Sequence, residues 1–305
     1  MTTLLVANRG EIAARIIRTA QDQGLRTLAV HPADDADSLH VRLADSARQL
    51  EGIGPRAYLD IAQLIRIAVD EGAELVHPGY GFLAESAAFA HACHEAGLTF
   101  LGPSADVLEI AGTKTSTKDR AAALDIPVAE ATGVLETAAP ALELLERHPA
   151  GIAIKALAGG GGRGIAVVTS PEDVEPAIAR CAAEAEHGFG DARVFAETWF
   201  PAARHIEVQC IGTPDGVYAL GDRDCSLQRR RQKLVELAPA PGLSADLRAD
   251  LHRAAEKLLD SLHYLSLATV EFLVADDDWV LLEVNPRIQV EHTVTEAVTG
   301  LDLVA

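Results

Sequence analysis

Over residues 1–105, short apolar runs alternate with segments of helical periodicity, and that alternation leaves the chain few folds to choose from. TLLVA (3–7) reads as a strand. EIAARIIRTAQDQG follows, with Ile12, Ile16 and Ile17 at helical spacing until Gly24 stops it. LRTLAVH begins a second strand, AYLDIAQLIRIAVDEG is a helix ending at Gly72, and AELVHPGYG is a strand running into a loop. AAFAHACHEAG and LTFLGP add a helix and a further strand. Parallel strands need covering crossovers, so this grammar predicts a Rossmann-like, doubly wound α/β domain. Such sheets bind ligands beyond the carboxyl ends of their strands, where NRGE and HPGYGFLAES fall. Taken alone, HPGYGF is a tight turn.

After GPS (102–104) the pattern changes. One helix is expected over VLEIAGTKTSTKDRAAALD, leading to Pro127. GIAIKAL and GIAVV are strands on either side of GGGGRG, and PEDVEPAIARCAAEAEH is a helix. From VFAETWF onward strands dominate: RHIEVQCIG, VYALGDRD, LATVEFLV and WVLLEVNPRIQVEH, interrupted by the helix SADLRADLHRAAEKLLDSLH. This is an α+β pattern with an antiparallel sheet. Gly159, Gly161 and Gly164 formally satisfy GxGxxG, but a β-branched run follows instead of a helix. No Lys-Ser or Lys-Thr follows the last glycine, so the Walker loop is excluded too. A hairpin tip remains: a surface turn, or a flap whose bare N–H groups wrap phosphate. A hairpin needs only one or two glycines, and this tip carries Arg163 and follows Lys155, which favours the flap.

The chain's 305 residues suit about two domains, and 49% hydrophobic composition suffices for real cores. A net charge of −19 argues against nucleic acid or an anionic membrane as partner, so an anionic ligand needs a local cationic cluster. Cys93, Cys181, Cys210 and Cys225 are widely spaced, as reduced intracellular thiols are. A strand begins within a few residues of Met1 and no run approaches a membrane span, so a cytoplasmic protein is expected. The end, VTEAVTGLDLVA, falls inside an apolar pattern, as at the front of a longer chain.

In EVNPRIQVEH, Glu283, Asn285, Arg287, Gln289 and Glu291 take alternate positions, giving an extended segment one polar face. A solvated face is the ordinary reading. The apolar WVLL before it and Pro286 within it point instead to an irregular rim beside a site. If a three-residue loop (276–278) pairs Ala275 with Trp279, Glu271 lies opposite Glu283 on the same face. Two such carboxylates repel unless a cation joins them, and Mg²⁺ held by carboxylates and substrate phosphates suits that role. A two- or four-residue loop would separate them. RHIEVQC repeats the alternation, with His205, Glu207 and Gln209 on one side. DRDCSLQRRRQK concentrates Arg223, Arg229, Arg230, Arg231 and Lys233 in an otherwise acidic chain, fitting a phosphate or carbonate site. Lys114, Lys118 and Lys155 are further phosphate candidates.

NRGEIAARI, HPGYGFLAES, FLGPS, GGGGRG, RHIEVQ, DRDCSLQRRRQK and EVNPRIQVEHTVTE, in this order, strongly resemble biotin carboxylase of the ATP-grasp superfamily. The resemblance runs over essentially the whole chain. It implies a preATP-grasp α/β domain (1–112) and an α+β ATP-grasp domain (113–305) with a mobile glycine-rich lid (about 128–200). That second domain would be incomplete at its end, and the family's C-terminal domain absent. By resemblance, Lys114, Lys155 and the lid glycines Gly159, Gly160, Gly161 and Gly162 meet nucleotide phosphates. Glu197, His205, Gln228 and Leu273 surround adenine and ribose. Glu271, Glu283 and Asn285 hold Mg²⁺ or Mn²⁺. Lys233, Arg287, Gln289 and the backbone of Val290 bind bicarbonate, with Glu291 as general base and Lys233 and Arg287 as catalytic cations.

The activity implied is ATP-dependent carboxylation of biotin by bicarbonate through carboxyphosphate. A biotin carboxyl carrier protein or domain, a carboxyltransferase and a homo-oligomer are the implied partners. Met1 is the only methionine, so the Met-Lys-Met biotin attachment motif is not in this chain. Arg231, Leu237, Thr198 and Ala158 depart from residues common in the family at the ribose, at VELAPAP, by the adenine and in the glycine loop. Two rival readings are another bicarbonate-activating ATP-grasp ligase, such as a carbamoyl-phosphate synthetase half, and a non-catalytic nucleotide-binding or assembly module.

Overall fold

The structure, a computed structural model, describes residues 1–111, 114–157, 164–229 and 232–305, without the side chains of Lys114, Thr115 and Phe189. Three sheets organise them. The first is parallel, in the order β3-β2-β1-β4-β5, from β1 (Thr3–Val6), β2 (Arg26–His31), β3 (Ser46–Gln49), β4 (Leu75–His77) and β5 (Thr99–Phe100). Its helices are α1 (Gly10–Asp22), α2 (Leu39–Leu43), α3 (Ile61–Asp70) and α4 (Ala87–Glu95). Apolar residues fill both faces of this sheet, as parallel sheets require: Leu5, Leu28 and Val76 on one side, Leu4, Val6 and Ala29 on the other. The expected doubly wound domain is therefore present. The sequence reading had missed β3 and α2: SARQ has one apolar residue, and LHVRL, at 5 residues, is too short to show a helical period.

The order reverses between β1 and β4, and there the two motif loops meet. Asn8 Nδ2 donates to the carbonyls of Pro78 (2.6 Å) and Tyr80 (2.8 Å). Gly79 sits at φ +64°, and a Cβ there would lie 2.8 Å from that same amide nitrogen. HPGYGF is thus a turn that only glycine allows to close on Asn8.

Within the expected helix the described residues form α5 (Ala105–Ala111) and α6 (Lys114–Ala123), and residues 112–113 between them lie outside the described residues. A three-stranded antiparallel sheet follows, β7-β6-β8, from β6 (Ile152–Ala156), β7 (Ile165–Val168) and β8 (Val194–Thr198). It packs on α7 (Ala139–Arg147) and α8 (Val174–Phe189) through Leu144, Ile154, Val174 and Ala196. The strands flanking the glycine run form the expected hairpin, and its tip (158–163) lies outside the described residues.

The third sheet is antiparallel, β11-β10-β9-β12-β13, from β9 (Arg204–Thr213), β10 (Gly216–Arg229), β11 (Gln232–Leu237), β12 (Ser266–Ala275) and β13 (Asp278–Asn285). One face is apolar and rests on α9 (Ala245–Asp260), whose Leu251, Leu258 and Leu259 are fully buried. Ser244 caps α9, accepting from Leu247 N. At the far ends of β9 and β12, Ile211 and Leu267 join Leu4, Val6 and Ile16 in one core. Parallel and antiparallel sheets therefore share buried surface. Among the described residues, no helix is long and apolar enough to cross a membrane.

Candidate functional site

The polar face of the antiparallel sheet begins with alternation. In β9, Ile206, Val208 and Cys210 enter the core while His205, Glu207 and Gln209 point the other way. Glu207 and Gln209 are nonetheless buried. Burying a carboxylate requires a cation and hydrogen bonds, and β10 and β11 supply them.

The hairpin of β12 and β13 sets the carboxylate pair by an unexpected route. Its turn has two residues, Asp276 at φ 53° and Asp277, with Ala275 opposite Asp278. The expected three-residue loop is thus corrected, and a regular ladder from this turn would put Glu271 opposite Leu282. A β-bulge intervenes: Phe272 pairs with Leu281 and Glu271 with Glu283, so Leu282 is the extra residue. Glu271 and Glu283 face each other after all. The expected extended run to Glu291 stops at Asn285. Residues 286–291 are irregular and lead into α10 (His292–Thr299), as Pro286 suggested.

Lys233, from β11, gathers the acids. Its Nζ donates to Glu207 (2.5 Å), Glu271 (3.0 Å) and Glu291 (2.6 Å). Burial opposes its charge, but the Glu271, Glu207 and Glu291 carboxylates outweigh burial and lift its pKa above the usual lysine range. Glu271 also accepts from Asn285 Nδ2 (2.8 Å) and Gln289 Nε2 (3.2 Å), and lies 2.6 Å from His205 Nε2. Burial pushes its pKa up, and the contacts with His205 and Lys233 more than reverse this. Glu236, near Glu291 and Glu207, is pushed up by burial and by those charges.

Sequence reasoning grouped Arg223 with a cationic cluster fitting a phosphate or carbonate site. The structure corrects this: its side chain is wholly buried, and every N–H has an acceptor. Nε donates to Glu207 (2.5 Å), Nη1 to Gln209 (3.0 Å) and Thr295 (2.6 Å), and Nη2 to Thr269 (3.5 Å) and Gln289 (3.3 Å). The guanidinium fork fastens β9, β12, the irregular segment and α10 to β10. Glu207 and Thr295 were absent from the expected site. The alternation in RHIEVQC put Glu207 on the polar side but gave it no role; Thr295 carried no signal.

Other expected residues fall in and out of the cluster. Gln289, expected to meet bicarbonate, is buried with its oxygen on Arg223 and its amide on Glu271, so it acts as a strut. Val290 has its side chain exposed, leaving only its backbone for the site. Arg287 is held by Glu85 of the HPGYGFLAES loop, by Ile288 O (3.2 Å) and by Asn285 Oδ1 (3.3 Å). Gln228 Nε2 lies 2.8 Å from His205 Nδ1 and so braces that ring against Glu271. Lys155 and Lys118, the phosphate candidates, are both paired with Glu197. Leu273 lines a cleft of about 380 Å³ with Pro127, Phe200, Ala275 and Trp279. The Lys114 side chain, Gly159, Gly160, Gly161, Gly162 and Arg231 lie outside the described residues.

His205, Glu207 and Glu271 each bring a ligand atom within 4.8 Å of the others, but the Lys233 ammonium already joins the two carboxylates. Glu271, Glu283 and Asn285 offer an all-oxygen set from one strand pair, the chemistry that hard divalent cations prefer. The residues present therefore fit Mg²⁺ or Mn²⁺.

Residues 1–108 match the family described as biotin carboxylase, N-terminal domain, and residues 113–305 that described as carbamoyl-phosphate synthase L chain, ATP binding domain. A biotin carboxylase of Nostoc sp. is 42% identical over 304 residues, 98% of this chain and 68% of that protein. The pyruvate carboxylase of Staphylococcus aureus is 43% identical over 305 residues, 99% of this chain and 26% of the relative. The biotin carboxylase domain dimer of Hydrogenobacter thermophilus 2-oxoglutarate carboxylase was solved with MgADP, ADP and bicarbonate. It matches with a TM-score of 0.95 at 38% identity, covering 99% of this chain and 68% of that one. Sheets and site together define an ATP-grasp protein. Within that class, the chain belongs to the biotin carboxylase family. It spans about a quarter of the length of the pyruvate carboxylases it matches.

Proposed function

We propose that the chain carries out the first half-reaction of a biotin-dependent carboxylase: MgATP activates bicarbonate, and biotin on a carrier protein or domain receives the carboxyl group. The observation that carries this reading is the Lys233 ammonium where Glu207, Glu271 and Glu291 converge. A cation fixed among carboxylates can hold a small anion beside a base without itself losing its proton.

In this reading Lys233 and Arg287 share the bicarbonate charge, and Glu291, 2.6 Å from Lys233 Nζ, takes the bicarbonate proton. The freed oxygen attacks the γ-phosphorus of ATP, ADP leaves, and carboxyphosphate forms. It breaks down to CO₂ and phosphate, the released phosphate takes the proton from N1′ of biotin, and that nitrogen bonds to the carbon of CO₂. Glu271, Glu283 and Asn285 would hold Mg²⁺ or Mn²⁺, which when bound neutralises phosphate oxygens. The protein's own part is positioning and charge. Arg223 fixes Glu207 and Gln289, and Gln228 and His205 brace Glu271. The cleft at Leu273, walled by Phe200 and Pro127, suits the adenine, and Lys155 the phosphates. Residues 1–112 serve as the preATP-grasp domain and 128–200 as the lid.

A second set of proposals concerns partners: a biotinylated carrier, a carboxyltransferase and a second copy of this chain, in a cytoplasmic setting. The test is ADP release with bicarbonate, with and without free biotin. Bicarbonate-stimulated release that Glu291→Gln removes is expected. MgATP binding with no such stimulation would instead make the chain a nucleotide-binding module. Stimulation unchanged by Glu291→Gln would remove Glu291 from the base role.

A further inference from the structure

The buried pair on the lid side of the site has one lysine more than it needs. Glu197 is 2% exposed, on β8. On β6, Ala153 stands directly opposite it and Lys155 stands opposite Phe195, so Lys155 is its diagonal neighbour on the same face. Lys155 holds one carboxylate oxygen. Lys118, on α6, holds the other. Each lysine side chain retains 13% of its exposure. Burial raises the Glu197 pKa, but Lys155 and then Lys118 outweigh it, so the carboxylate stays charged.

We infer that Lys118 is a positioning residue: a standing counter-ion for Glu197 that releases Lys155 to take a nucleotide phosphate. This rests on the proposed MgATP reading. If Lys155 were the sole partner, turning it toward a phosphate would strand a buried carboxylate, a heavily penalised state. Nucleotide affinity would then be lowered by the penalty of breaking the pair. With Lys118 fixed on the second oxygen, Glu197 keeps a partner whichever way Lys155 points. The arrangement also ties α6 to the β6–β8 sheet through one carboxylate, so Lys118 acts without touching the ligand.

The inference predicts coupling that a merely structural lysine or a direct phosphate ligand would not give. MgATP and AMP binding is measured by calorimetry for the wild type, Lys118→Met, Glu197→Gln, the double variant and Lys118→Arg, with folding checked by circular dichroism. Lys118→Met is expected to weaken MgATP about 100- to 1,000-fold, the scale of a stranded buried charge, and to leave AMP unchanged. In the Glu197→Gln background, where no charge is stranded, the same substitution should change MgATP affinity less than about threefold. Lys118→Arg, which keeps the cation, should restore binding. An equal loss in both backgrounds, or unchanged MgATP affinity in folded Lys118→Met, overturns the inference alone. A folded wild type that binds no MgATP overturns the proposed function and this inference with it. If Lys118→Met does not fold, Lys118→Arg and the double variant carry the test: weak binding in both overturns the relay.

Discussion

Glu271 and Glu283 stand directly opposite each other because Leu282 is bulged out of β13. Their burial nevertheless differs. Glu271 is engaged by Lys233, His205, Asn285 and Gln289, and is part of the buried framework. Glu283 is only half-buried. Glu283→Gln is therefore expected to raise the Mg²⁺ concentration for half-maximal ATP turnover about tenfold or more, with little change in melting temperature. Glu271→Gln should do both: weaken Mg²⁺ and lower the melting temperature. Mg²⁺ titrations with parallel thermal melts check this. Equal melting losses from the two variants would contradict the division.

Arg223→Met leaves Glu207 buried with one cation fewer and four further acceptors short of a donor. Breaking such a pair costs about 3–5 kcal/mol, which urea unfolding would read as a large fall in midpoint. In a Glu207→Gln background the loss should be smaller, since no charge is stranded. The interaction energy of the double-mutant cycle measures the pair.

Acid should attack the parallel sheet at Asp35. Arg9, Ser38 and Tyr58 donate to its carboxylate. The Arg9 hydrogen bond, reinforced by Ser38 and Tyr58, overcomes burial and holds its pKa well below the usual carboxylate range. A depressed pKa gives stability that is present above the ordinary value of 3.8 and lost as pH falls below it. Wild type and Asp35→Asn should therefore differ most in urea stability at pH 7, and the gap should narrow between pH 4 and pH 2. A gap independent of pH would assign the effect to packing alone.

Gly79→Ala forces a Cβ into a left-handed position and against Asn8. The backbone cost is about 1–2 kcal/mol, seen as a melting shift of a few degrees. Activity should fall further than stability, because Glu85 in the same loop holds Arg287. Bicarbonate-stimulated ATP turnover, measured well below the melting temperature, separates the two effects.

Much of this was legible before any coordinates. The alternation in residues 1–105 gave the parallel sheet, and period two in RHIEVQC gave the polar face that carries Glu207. The opposition of Glu271 and Glu283 was also anticipated, but from the wrong turn length. A bulge is a local departure from period two, so no count of alternating residues reveals it. Arg223 was hidden because an arginine in a basic run looks the same whether it meets water or five buried acceptors. The pairing of Lys118 with Glu197 joins residues 79 positions apart and depends on how α6 meets a separate sheet. Short motifs name the parts of a site, while long-range charge pairing is decided by packing.

The link from Glu85 to Arg287 has a consequence for ancestry. Asn8 shapes the loop, Gly79 permits it, Glu85 projects from it, and Arg287 donates to Glu85 from the other half of the chain. Recombination between relatives at the junction near residue 110 would separate donor from acceptor. These four positions are best regarded as one heritable unit, and chimaeras that mix their origins should be the ones that fold yet fail to work.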